Sequence, residues 1–144
     1  MSQINVDIVA PQTGADVTVD GNLIVTGTNS IRPYKVYVAL LAQNSPTTDP
    51  LVEVLENSLG ATITWTRLST GTYLATASSP IFNLVKTAVF MQVSASLGGT
   101  YGTHLVAGRN SDTEIFVITQ INDATSTPED GRFGLTPIEI RVYS

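Results

Sequence analysis

The chain has 144 residues, the size of one ordinary domain, and 12 acidic against 7 basic residues give it a net charge of −5. With no cysteine and one histidine, His104, it lacks the means for disulfide frameworks, thiol nucleophiles, iron–sulfur clusters and cysteine-based zinc sites. Only Lys35 and Lys86 are lysines, and no basic run could neutralise several phosphates together, so a nucleic-acid partner is disfavoured. No apolar run approaches the ~18 residues of a membrane span. The opening Met1-Ser2-Gln3-Ile4-Asn5 carries neither the basic nor the apolar region of a secretory signal. The expectation is a soluble chain without a leader.

Counting gives 20 Thr, 15 Val and 11 Ile, so 46 of the 144 residues are β-branched, while only 13% are charged. Such side chains lose rotamer freedom in a helix and fit a pleated surface, which predicts an all-β fold. A low charge fraction with so much threonine also suits a surface that copies of the same chain cover.

In chain order, residues 4–9 read as a strand ending at Ala10-Pro11. Val17 and Val19 with Leu23 and Val25 flank Asp20-Gly21-Asn22, a hairpin signal in which Gly21 can supply the positive φ of a tight turn. Residues 34–41 are apolar on both faces, as a central strand covered on both sides would be. Residues 42–50 form a polar loop with two prolines, read as a surface excursion. The next stretch has two readings. Asp49-Pro50 could cap a short helix in which Leu51, Val52, Leu55 and Leu59 keep helical spacing up to Gly60. Alternatively residues 51–56 form a strand and residues 57–60 a turn.

Beyond it, Thr62, Thr64 and Thr66 alternate with Ile63 and Trp65, predicting a strand with a threonine outer face and Trp65 as a core anchor; Ser69-Thr70-Gly71 then turns the chain into residues 72–77. Residues 84–95 place Val85, Val89, Met91 and Val93 at period two, and residues 98–102 are a glycine-rich break. Residues 114–121 and 137–143 are two more strands around the acidic loop 122–134. Eight to ten strands at such spacing predict an antiparallel β-sandwich or jelly roll.

Candidate chemistry is sparse. His104 has Asp112, Glu114 and several serines near it in sequence, so a Ser-His-Asp constellation can be drawn, but no Gly-x-Ser-x-Gly elbow accompanies it and a surface or loop histidine is the plainer reading. Gly98-Gly99-Thr100-Tyr101-Gly102 does not match a phosphate-binding loop and reads as a hairpin loop. Asp123, Glu129 and Asp130 share one loop without the spacing of an EF-hand, and are read as a solvated acidic loop. Neither catalytic residues nor a metal or cofactor is expected. Tyr34, Tyr73, Tyr101 and Tyr143 could each stack on a sugar ring, and Tyr101 stands out because no core calls for it in a glycine-rich loop.

Residues 14–28, with Val17, Val19, Gly21, Leu23, Val25 and Gly27 in register, resemble the x-V-x-V-x-G-x-L-x-V-x-G units of trimeric fibre and spike proteins of tailed bacteriophages. Three further stretches are similar to small all-β phage proteins: Arg32-Pro33-Tyr34-Lys35-Val36-Tyr37-Val38-Ala39-Leu40-Leu41; Leu55-Glu56-Asn57-Ser58-Leu59-Gly60 with Trp65-Thr66-Arg67; and Thr136-Pro137-Ile138-Glu139-Ile140-Arg141-Val142-Tyr143. The resemblance implies a virion component that is not an enzyme and that assembles as a homotrimer. One such unit suits a capsid decoration protein or short appendage better than a long fibre.

The expected organisation is an N-terminal arm and fibre-like hairpin over residues 1–30 and a β-sandwich body over residues 31–144. Ile4, Val6 and Ile8 of the arm could add as a strand to a neighbouring subunit, and with Val17, Val19, Leu23 and Val25 they make the expected assembly interface. The expected partners are copies of the chain and other virion proteins such as the major capsid protein. The alternative is a carbohydrate-binding adhesion module at a fibre tip, with Tyr101 touching a host surface glycan.

Overall fold

The computed structural model describes residues 32–93, 102–121 and 124–144. Eight strands run in the order β1 (Tyr34–Ala42), β2 (Leu51–Asn57), β3 (Ile63–Ser69), β4 (Thr72–Ala77), β5 (Thr87–Met91), β6 (Thr103–Arg109), β7 (Glu114–Ile121) and β8 (Gly134–Tyr143). They form two antiparallel sheets, β2-β1-β8-β5 and β3-β4-β7-β6, packed as a β-sandwich, as the composition predicts. The expected arm, the hairpin at residues 17–25 and residues 98–101 of the glycine-rich loop lie outside the described residues.

Alternation explains the core. Tyr37, Ala39 and Leu41 of β1 and Ile138 and Ile140 of β8 point inward from one sheet. Trp65, Tyr73, Ala75, Ala77, Ile115 and Val117 point inward from the other. Trp65 is the anchor its pattern predicts, and its indole N–H donates to the Tyr37 hydroxyl at 3.2 Å, satisfying both polar groups inside the sandwich. Phe82, Leu59 and Phe133, from the connections, close the ends of the core.

The ambiguous stretch is a strand. Val52 pairs with Leu41 and Val54 with Ala39, and Leu55 is the extra residue of a bulge opposite Val38 and Ala39. Positions four apart, such as Leu51 and Leu55, fall on one face of a strand as well as of a helix. A helix of that length would also be marginal on its own. The turn at residues 57–60 follows: the Asn57 carboxamide accepts from the Leu59 N–H and donates to the Ala61 carbonyl, carrying the chain into the second sheet.

The period-two reading of residues 84–95 is too long. Asn83 accepts the Val85 N–H in its side chain and holds a turn there, so Leu84 and Val85 stand exposed ahead of a five-residue β5. Residues 103–109, which the pattern leaves unassigned, form β6.

β8 begins three residues before its predicted start, with a bulge at Leu135: Leu41 faces Thr136 and Ala42 faces Gly134. Leu135 has φ +58 and is 64% exposed, so a γ-branched side chain occupies a left-handed backbone and projects into solvent. Leu135→Gly is expected to raise the unfolding free energy by about 1 kcal/mol, measured by denaturant titration, because glycine removes the left-handed penalty. A loss of stability would show that the Leu135 side chain supports its own subunit.

Candidate functional site

The described residues carry two constellations, one internal and one on the surface. The internal one is centred on Asp130. Its carboxylate accepts from Arg67 Nε at 3.0 Å and Arg67 Nη2 at 2.7 Å, and from the Gly71 N–H at 2.9 Å. The Tyr73 hydroxyl lies 3.0 Å from Asp130 Oδ1 and 2.6 Å from Gln43 Oε1, within reach of either acceptor for its single proton. Gln43 Oε1 also accepts the Gly131 N–H, and its amide group donates to the Thr48 carbonyl. Hydrogen bonds from Arg67 hold the Asp130 carboxyl below its usual range, against the opposing effect of burial. Burial first, and then the Asp130 carboxylate, push the Tyr73 hydroxyl up to about 12.

Arg67, Asp130, Tyr73 and Gln43 bond to one another and to backbone groups, so their chemistry is that of a clamp: it fastens residues 128–133 and the loop after β1 to the β3–β4 turn. The side chain of Asp130 is 8% exposed, which corrects the solvated reading for that residue, while residues 124–128 of the same loop are exposed as expected. Glu129 pairs with Arg132. Asp123 lies outside the described residues. Among the described residues no group of three His, Asp or Glu side chains could hold a metal ion. Gln43, within the stretch read as a surface excursion, is likewise buried.

His104 is exposed near the start of β6, opposite Gln120. Asp112 and Glu114 lie at the turn at the far end of the same hairpin, a strand length of roughly 17 Å away. There Asp112 pairs with Arg109, and Glu114 accepts from Asn110 at 2.8 Å. The imagined triad is not brought together.

The surface constellation occupies the outer face of β2-β1-β8-β5. Register places Tyr34 opposite Tyr143, Val38 between Glu56 and Glu139, Leu40 between Glu53 and Pro137, and Phe90 beside Glu139. The Tyr34 and Tyr143 rings meet at 5.2 Å, tilted by 56°. The Arg141 guanidinium sits 4.8 Å from the Tyr34 ring centre and 4.7 Å from that of Phe90, and its Nε donates to Glu139 at 2.6 Å. Val38, Phe90, Gln92 and Pro137 line a shallow open groove beside it. Leu51 and Leu135 extend the apolar area at one end.

The outer face of the other sheet has a parallel make-up. Leu74 pairs with Phe116, and Ile118 with Val106, all half-buried, beside the predicted threonine row of β3. The Phe116 ring covers Gly108, where a Cβ would stand 3.0 Å from its edge. The sandwich therefore shows apolar rows on both outer surfaces as well as inside. Of the tyrosines read as possible sugar platforms, Tyr73 is wholly buried and offers no ring face to a pyranose, and Tyr34 has the Arg141 guanidinium against one face of its ring. Tyr101 lies outside the described residues, as do Ile4, Val6, Ile8, Val17, Val19, Leu23 and Val25.

Comparison of the chain with family models, with curated proteins and with solved structures finds no match.

Proposed function

We propose that this chain is a structural component of a tailed-bacteriophage virion. It acts as a capsid decoration or short fibre-type appendage that assembles as a homotrimer and docks on another virion protein such as the major capsid protein. The observation that carries the reading is the pair of apolar outer faces, Val38, Leu40, Phe90 and Pro137 on one sheet and Leu74, Val106, Phe116 and Ile118 on the other. A β-sandwich that works alone needs one buried layer. Apolar rows on the outer sides of both sheets favour association, because covering them removes further apolar area from water. The aromatic and arginine content of the first face is the composition of an interface centre. The resemblance of residues 14–28 to phage fibre units, and of the β1 and β8 sequences to small phage proteins, supplies the biological setting.

Quantitative mass spectrometry of purified phage particles encoding this chain tests the reading. The expected result is a fixed stoichiometry, hundreds of copies for a decoration protein or a few for an appendage. Abundant chain in infected cells with none in the particle would overturn it.

A further inference from the structure

We propose that β2 is an acceptor edge for strand addition and that its occupant is residues 3–9 of a neighbouring copy of this chain. The inference rests on the assembly reading above and goes further by assigning the edge and the segment that covers it.

An edge strand presents a row of unpaired N–H and C=O groups, which natural sheets blunt with charged side chains, lysine above all, with proline, bulges or short length, or with a covering helix, loop or side chain. Among the described residues the four edges differ. β5 and β6 lie against each other, so that side of the sandwich is closed. On the opposite side, β3 is blunted where the Arg67 N–H is taken by the Asp49 carboxylate at 2.7 Å. β2 has neither guard. It is seven residues long with no lysine or proline, its bulge comes late and leaves residues 51–54 regular, and Arg32 offsets the charge of Glu56 at 2.9 Å. Leu51, Val54 and Leu55 are 56%, 48% and 58% exposed, so the edge is apolar as well as open.

Two segments of this chain could cover it, and charge separates them. A second β2 laid alongside would line four carboxylates, two Glu53 and two Glu56, along one ladder, where facing like charges are destabilising. Residues 3–9, Gln3-Ile4-Asn5-Val6-Asp7-Ile8-Val9, bring only Asp7. They match the seven residues of β2 and contain no glycine or proline. Their alternation would set Ile4, Val6 and Ile8 beside Val52 and Val54 on the core-facing side, with Gln3, Asn5 and Asp7 toward water. The 22 residues 10–31 separate this segment from Arg32, which stands beside Glu56 at the end of β2. With residues 17–25 folded as the expected hairpin, the other 13 still reach about 40 Å, longer than the edge strand and enough to span to a neighbouring copy.

The chain has no cysteine, so single cysteines report the pairing cleanly. Val6→Cys protein is mixed with Val54→Cys protein and oxidised mildly, with Leu68→Cys, exposed on β3, as the control partner. The expected result is a disulfide-linked heterodimer that forms about tenfold faster with Val54→Cys than with Leu68→Cys, as a high local concentration requires. Adding Ile8→Pro to the Val6→Cys protein should abolish the preference, because proline cannot complete the ladder. Equal rates for the two partners would overturn the inference. So would a cross-link that forms only within one chain of the doubly substituted Val6→Cys/Val54→Cys protein. The solution mass of the reduced proteins separates the two levels. A multimer without the selective cross-link removes strand addition alone, whereas a monomer that fails to bind particles removes the assembly reading with it.

Discussion

Gly71→Ala is expected to lower the unfolding free energy by about 3 kcal/mol, among the largest effects of any single substitution in this chain. Gly71 closes the β3–β4 turn with φ +62, where a side chain costs roughly 1 kcal/mol by itself. The greater part comes from what lies against it. A Cβ would stand 2.5 Å from the Glu129 nitrogen, 2.6 Å from the Thr119 carbonyl oxygen and 3.0 Å from the Pro128 carbonyl carbon. All three are backbone atoms, so no side chain can rotate away. The strands and loop must part, and with them the bonds from the Glu129 N–H to the Thr119 carbonyl and from the Thr119 N–H to the Gly71 carbonyl. Gly60 is the internal control. It too has a positive φ, +80, but nothing lies within 4 Å of its added Cβ, so Gly60→Ala should cost only about 1 kcal/mol. Denaturant titration of both variants checks the difference, and equal losses would contradict the packing account of this turn.

Asp130→Ala is expected to cost about 2 kcal/mol, the scale of losing hydrogen bonds to a charged group at a partly buried site. Arg67 would keep its charge with 21% of its side chain exposed, and the Gly71 N–H would lose its acceptor. The pH profile identifies the cause. Because Arg67 holds the Asp130 carboxyl below its ordinary value, the stabilisation is fully present above the unfolded-state pKa near 4. It is lost as pH falls below that value through the lower, folded one. Asp130→Ala should lack that share of the acid-side loss. The alkaline side has the opposite sign. With the Tyr73 hydroxyl pushed up to about 12, its contribution is full below pH ~10 and disappears between ~10 and 12. Tyr73→Phe should flatten that fall but not abolish it, because burial also raises the Tyr37 hydroxyl. An unchanged alkaline profile in Tyr73→Phe would contradict the placement of its hydroxyl inside the clamp.

What could be read in advance follows from how local each signal is. Trp65, flanked by threonines at period two, and the Ser69-Thr70-Gly71 turn each carry their meaning within a few residues, and both appear where the sequence places them. β7 spans residues 114–121 as its alternation predicts. The Asp130 clamp is different in kind. Arg67 and Asp130 stand 63 positions apart and Gln43 and Gly131 stand 88 apart, so no spacing rule connects them, and three neighbouring acids suggested a solvated loop. The bulges hide themselves for a related reason. An extra residue at Leu55 shifts the side-chain phase by one, so the alternation that marks a strand is interrupted there. Pro137 argues against an interior strand, yet it is accommodated: its carbonyl accepts the Gln92 N–H just past β5, whose last pair is Met91 with Ile138, so no ladder amide is required there. The outer apolar rows are visible as hydrophobic residues, but alternation alone cannot tell an outward row from an inward one when both are apolar.

Static light scattering of the purified chain across a concentration series measures most directly whether these outer faces exist to be covered. A trimer is expected for the native chain, and a shift toward monomer for Phe90→Glu or Leu74→Glu with the far-ultraviolet β spectrum retained, because each substitution puts a charge into one of the two faces. A native chain that is monomeric at every concentration and does not bind particles would contradict that expectation.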